Sequence, residues 1–164
     1  MTVVIDVRAD ELVSAVPATE SAVRLLVLSC SPESLRRRFH TSRLTPDVAW
    51  GRHREYLLAG PPDGAAVVAM SGDVPVGLLN LVVVGTALVD VSLLVVDAWQ
   101  RRGVATRLLA GELGRPRWAG WTVQATVQPD NHPVRTFLGS LGWGEWRVVS
   151  RDPSAWDYAT TLLG

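Results

Sequence analysis

Three apolar runs stand almost end to end between residues 65 and 96, and nothing else in the chain constrains its fold as strongly. AAVVAM (Ala65–Met70) and VPVGLLNLVVV (Val74–Val84) are separated only by Ser71, Gly72 and Asp73, a turn signal with room for a hairpin and nothing longer. Gly85, Thr86 and Ala87 then lead into a third run, Leu88–Val96. Runs this short and this rich in valine predict strands, and connections this tight force neighbouring strands to run antiparallel.

Helical spacing dominates what comes before. Val3–Val7 reads as an opening strand, but Thr19–Ser29 places Ala22, Val23, Leu25, Leu26 and Leu28 on a helix. Ser31 reads as the N-cap of a second helix with Pro32 in its first position, Pro46–Leu58 as a third, and Pro61-Pro62-Asp63-Gly64 as a breaker. Beyond the three apolar runs, Val104 to about Leu113 is helical, Trp121–Val127 a strand, Pro133–Ser140 a short helix, and Trp143–Ser150 and Trp156–Leu163 closing strands. Helices followed by a mostly antiparallel sheet with two helical crossovers give an α+β, or mixed α/β, fold.

Bulk properties bound the rest. A chain of 164 residues, 48% of them hydrophobic, suits one domain spanning 1–164 with a sizeable core. No uncharged stretch reaches the ~18 residues of a membrane span. The acidic N-terminal sequence lacks the basic-then-apolar order of a secretory signal, so a cytoplasmic location is expected. Cys30 is the sole cysteine, which excludes an internal disulfide, and His40, His53 and His132 lack metal-ligand spacing, so no metal is expected. Zero formal net charge gives no reason to expect nucleic acid or an anionic membrane as partner. All sixteen basic residues are arginine, so the chain offers no lysine side chain for self-acylation.

The chemically suggestive segment is the passage from strand to helix at residues 88–106. Gln100, Arg101, Arg102, Gly103, Val104, Ala105 and Thr106 stand where a helix begins, and unpaired amides together with the helix dipole favour an anion there. Gly103 permits close approach and a positive φ, Ala105 keeps the second turn open, and Thr106 adds a hydroxyl. On local grounds alone, an ordinary capped helix fits equally well.

VVDAWQRRGVATRLL resembles the acyl-CoA signature of the GNAT superfamily: Gln or Arg, two residues, Gly, one residue, then Gly or Ala. QPDNHPVRTFLGSLGW resembles that family's later segment, with Asn131 ahead of a short helix and Leu141, Gly142 and Trp143 after it. LSCSPESLRRRFH is similar to a segment of the GNAT domains in Pat-type protein acetyltransferases. The resemblance implies a twisted, mostly antiparallel sheet of about six or seven strands flanked by helices and splayed after the fourth strand. It implies that backbone groups of Leu94, Val95 and Val96 bind the pantetheine arm of an acyl-CoA, that Gln100–Thr106 form the pyrophosphate loop, and that Asn131 contacts the cofactor arm. For Asn131, a helix-capping role is the alternative.

The implied activity is acyl transfer, with acetyl-CoA the expected donor, to an amine of a protein lysine or a small molecule by direct attack in a ternary complex. An alkyl amine with a pKa of ~10.4 must lose a proton before it attacks. Asp90, the only charged residue between Ala87 and Val96, is the candidate base and stands where Pat-type relatives carry a glutamate; a solvated strand-edge carboxylate is the alternative. Glu33 and Glu55 are further candidates. Leu138 occupies the position where many GNAT enzymes place a tyrosine acid, so no general acid is apparent. Arg36-Arg37-Arg38 reads as a solvated helix face, with an acidic-substrate or nucleic-acid patch as the alternative, and Cys30 as a small buried hydrophobe. The seven tryptophans are read as packing residues, with an acceptor cleft or a homodimer interface as their other uses. A weakly catalytic acyl-CoA sensor acting through a partner protein is the rival function.

Overall fold

The computed structural model describes residues 3–8 and 11–163; part of the N-terminal sequence on which the expected location rests lies outside them. In chain order the strands are β1 (Val3–Arg8), β2 (Glu11–Pro17), β3 (Gly64–Ser71), β4 (Val74–Gly85), β5 (Leu88–Val95), β6 (Thr122–Val127), β7 (Arg147–Arg151) and β8 (Trp156–Thr161). The helices are α1 (Glu20–Leu28), α2 (Pro32–Phe39), α3 (Pro46–Leu57), α4 (Val104–Leu113) and α5 (His132–Ser140). Thr19, Ser31 and Thr45 cap the first three through their side chains, and proline opens α2 and α3.

The strands form one eight-stranded sheet in the order β1-β2-β3-β4-β5-β6-β8-β7. Every pairing is antiparallel except β5 with β6. The α+β expectation therefore holds, with one strand more than the six or seven expected. Glu11–Pro17 is the addition: it pairs antiparallel with β1 and buries Val13 and Ala15 on alternate positions. The splay consequently follows the fifth strand rather than the fourth.

Two apolar cores cover the two faces of the sheet. One packs Val23, Leu26 and Val27 of α1, Leu35 of α2 and Leu57 of α3 against Leu78 and Leu94. The other packs Leu108 and Leu109 of α4, Leu138 of α5 and Trp118 against Leu79, Leu81 and Val123. Residues adjacent along β4 thus serve opposite layers, as the period of two requires. Gly77 sets how closely α4 can approach, since a Cβ there would lie 2.8 Å from Val104 Cγ1.

Candidate functional site

The parallel pairing of β5 with β6 ends early. Leu88, Val89 and Asp90 pair with Thr122, Val123 and Gln124, after which β5 runs on to Val95 and β6 to Val127 without partners in each other. A cavity of about 760 Å³ opens in this cleft. It is roofed by α2 and α3 on one side and bounded by α4, α5 and the tryptophans of the segment after α5 on the other.

Backbone direction along β5 decides what the cleft offers. Thr122 N–H donates to Ala87 O on one edge, and Val96 N–H donates to Val76 O on the other. Since successive residues turn their N–H and C=O groups to opposite edges, Leu93 and Val95 face the open cleft while Leu94 and Val96 are bonded to β4. Of the three residues to which the resemblance assigns the pantetheine arm, only Val95 turns its backbone to the cleft, as its neighbour Leu93 also does; Leu94 and Val96 turn theirs to β4, and Val96 does not border the cavity. Leu94 contributes apolar surface only, its side chain being buried beneath α2.

The turn after β5 is tied down by side chains. Gln100 Nε2 donates to Val95 O at 3.0 Å and to Ser34 Oγ at 2.9 Å, and Asp97 Oδ1 accepts from Ser31 N–H and Ser34 Oγ. These bonds hold the Asp97 carboxyl below the usual carboxylate range. Gly103 caps α4 with φ of 81°, and Arg101 also lies in the left-handed region at 60°. The first helical bond of α4 is Arg107 N–H to Gly103 O, and no side chain caps the helix. The amides of Val104, Ala105 and Thr106 are therefore free at the cavity wall, beside Arg101. Arg102 is directed elsewhere, with its guanidinium 5.0 Å from the Trp99 ring.

Asn131 is 6% exposed, and its side chain does not cap α5. Its Oδ1 is buried without a partner and borders the cavity, which is the environment of an acceptor awaiting an N–H donor. The capping alternative fails on this geometry.

Asp90 is half-buried in the same cavity, which removes the solvated-edge alternative. Tyr56 Oη, from α3, donates to Asp90 Oδ2 at 2.9 Å and lies 3.2 Å from Ser92 Oγ. Burial pushes the Asp90 carboxyl above the ordinary aspartate range, opposed by the Tyr56 hydrogen bond and the charge of Arg38. Burial and the neighbouring Asp90 push the Tyr56 phenol up as well. Arg38 Nη2 donates to Asn80 Oδ1 at 3.2 Å, and its guanidinium lies 4.8 Å from the Phe39 ring and 5.4 Å from that of Tyr56.

The arginine triplet thus divides three ways. Arg36 spans from Glu33 to Gln128 and Asp130, Arg37 pairs with Glu33 at 2.8 Å, and Arg38 enters the cavity. Glu33, exposed and held by Arg36 and Arg37, is pulled down to about 2, which makes it a poor base, and Glu55 is exposed and does not border the cavity. Cys30 is buried with its thiol pushed up to about 12 by that burial, as a packing residue should be. Of the tryptophans, Trp118 is core at 1% exposure, whereas Trp99, Trp143 and Trp146 are half-buried and line the cavity. Among the described residues no cluster of His, Cys, Asp and Glu is arranged to hold a metal, and no helix is long and apolar enough to cross a membrane.

No family model matches the sequence, and no curated protein does. Solved structures do. The GNAT domain of S. lividans PAT superposes with a TM-score of 0.79 at 22% identity, over 98% of this chain and 97% of that one. The chain has the GNAT fold. An acetyltransferase from Thermus thermophilus follows the same path, with a TM-score of 0.71 at 20% identity over 92% of this chain and 97% of that chain. A GNAT-family acetyltransferase from Bacillus anthracis shares it at 12% identity, with a TM-score of 0.64 over 98% of both chains. In GNAT terms the cleft beyond Asp90 is the splay, and the turn from Gln100 to Thr106 begins the helix that follows it.

Proposed function

We propose that this chain is an acyl-CoA-dependent N-acyltransferase, one domain spanning 1–164, that uses acetyl-CoA and transfers its acyl group to an amine of a protein lysine or a small molecule. One observation carries the proposal. The free backbone edge at Leu93 and Val95, the free amides of Val104, Ala105 and Thr106, and the Asp90–Tyr56 pair all open into the same cavity.

Each group has a task in that chemistry. The α4 amides, with Arg101 beside them, meet the pyrophosphate charge. Leu93 and Val95 receive the pantetheine amides as a neighbouring strand would, and Asn131 Oδ1 takes an N–H of the same arm. Gln100 already satisfies the Val95 carbonyl, so the Val95 N–H and both Leu93 groups are those left for the ligand. Asp90 takes the proton that the amine must lose, directly or through a water. The nitrogen then attacks the thioester carbon, the C–S bond breaks, the sulfur leaves as thiolate, and the nitrogen's second proton passes to that sulfur. A thiol pKa of ~8.5 makes that departure tolerable without a tyrosine at Leu138.

Calorimetric titration with acetyl-CoA, followed by assay of free thiol with a panel of amines and lysine peptides, tests the proposal. Binding with acceptor-dependent thiol release supports it. Binding without release under any acceptor replaces it with the sensor function.

A further inference from the structure

Most charges at the cavity already have partners. Glu33 and Arg37 pair with each other at the rim, and Asp97 is spent on the start of α2. Arg101 stands on the turn assigned to the donor's phosphates. Two side chains of opposite charge are left, Arg38 on α2 and Asp90 on β5, and they do not pair: no carboxylate lies within 4.0 Å of the Arg38 guanidinium among the described residues. Tyr56 belongs to both, donating to Asp90 Oδ2 while its ring lies 5.4 Å from the Arg38 guanidinium.

Arg38 is held but not satisfied. Its Nη2 is fixed on Asn80, itself 1% exposed and anchored to Leu57 O at 2.9 Å, yet its Nε is buried without a hydrogen-bond partner. His40 borders the same cavity, and its Nδ1 is likewise buried and unpartnered. A guanidinium edge with an unmet donor binds a carboxylate more favourably than any neutral group.

Resting on the acyl-transfer reading above, we propose that the acceptor is an aminocarboxylate: its ammonium is drawn to Asp90 and its carboxylate to the Nε edge of Arg38, with Tyr56 between them. Such a molecule supplies each of the two with a direct ion-pair partner at once. A neutral amine would leave the Arg38 donor buried and unmet, which is a penalty the site applies selectively. The reaction balances in this arrangement. The ammonium gives one proton to Asp90, the neutral nitrogen forms the C–N bond as the C–S bond breaks, and the nitrogen's second proton passes to the departing thiolate.

An ω-aminocarboxylate series, run with acetyl-CoA against the matching carboxamides, tests the proposal on the wild-type chain. At the best spacing the carboxylate should lead its carboxamide by about 10- to 100-fold in kcat/KM, the range for a charged hydrogen bond. Arg38→Met, which keeps an apolar stem against Tyr56, should bring that ratio close to one, and Arg38→Lys should keep part of it. Equal use of carboxylate and carboxamide by the wild type overturns the proposal, as does a preference that survives in folded Arg38→Met. A lysine peptide without a nearby carboxylate that outpaces the whole series overturns it too. Failure of acyl transfer itself is read separately, by saturation-transfer NMR of the aminocarboxylates on the protein loaded with coenzyme A. Contact that is lost in Arg38→Met upholds the subsite whatever the turnover, and absence of contact in the wild type removes it.

Discussion

Tyr56 and Asp90 form the hydrogen bond on which the proposed chemistry of the site turns. Burial raises the Asp90 carboxyl, and the Tyr56 hydroxyl partly offsets that rise. Tyr56→Phe removes the offset, so Asp90 should move further up and the acidic limb of the kcat/KM profile should shift to higher pH. An unmoved limb would mean that another group titrates there. Asp90 also has a stability signature of definite sign. Its native value lies above its unfolded one, so its favourable contribution is complete below the ordinary aspartate pKa of ~3.9 and is lost as pH rises through the native value. Asp90→Asn should therefore melt higher than wild type at neutral pH, with the gain vanishing in acid. Equal melting temperatures across that range would contradict the burial assigned to Asp90. Asp90 was legible in the sequence because a lone charge stands out in LVDVSLLVV. Tyr56 and Arg38 were not, since their roles depend on how α2 and α3 pack over β5. Arg38 looked like one of three equivalent solvated arginines until the 100° step between helical residues sent each a different way.

At the scale of elements, the turn between β5 and α4 is the most exacting piece. Gly103 sits at φ of 81°, and a Cβ there would meet nothing within 4 Å, so what the fold itself requires of it is backbone conformation. Gly103→Ala should cost about 1–2 kcal/mol of stability from the left-handed backbone alone. Gly103→Glu should abolish acetyl-CoA binding by placing a carboxylate against the free amides; calorimetry showing unchanged affinity in the folded variant would remove the phosphate-loop assignment. Arg101→Ala should weaken binding only modestly and lose its effect at high salt, because an exposed charge is screened. The sequence located this turn correctly through Gly103 and the arginines. It did not reveal which residues of β5 face the cleft, because an apolar run carries no mark of edge direction; that follows from the bonds of Ala87 and Val96 to the flanking strands. Nor did it separate Asn131 from an ordinary cap, a distinction that depends on where α5 aims the side chain.

Across the whole molecule, the cleft exists because β5 pairs antiparallel with β4 along its length but parallel with β6 for only three residues. The core beneath α1, α2 and α3 positions Tyr56 and Arg38, and the opposite core beneath α4 and α5 positions the free amides and Asn131. The groups proposed to hold donor and acceptor thus meet through the gap in the sheet. The fold class was readable from the apolar runs and their short turns, while the extra strand Glu11–Pro17 was missed because its alternation is brief and interrupted by small residues. The measurement that tests the account most directly is acceptor-dependent thiol release by wild type and Asp90→Asn across pH, at saturating acetyl-CoA. Loss of a general base typically costs ~100- to 10,000-fold, so turnover by Asp90→Asn at neutral pH should fall on that scale and recover in part as rising pH supplies neutral amine. Wild-type turnover by folded Asp90→Asn at every pH would contradict it.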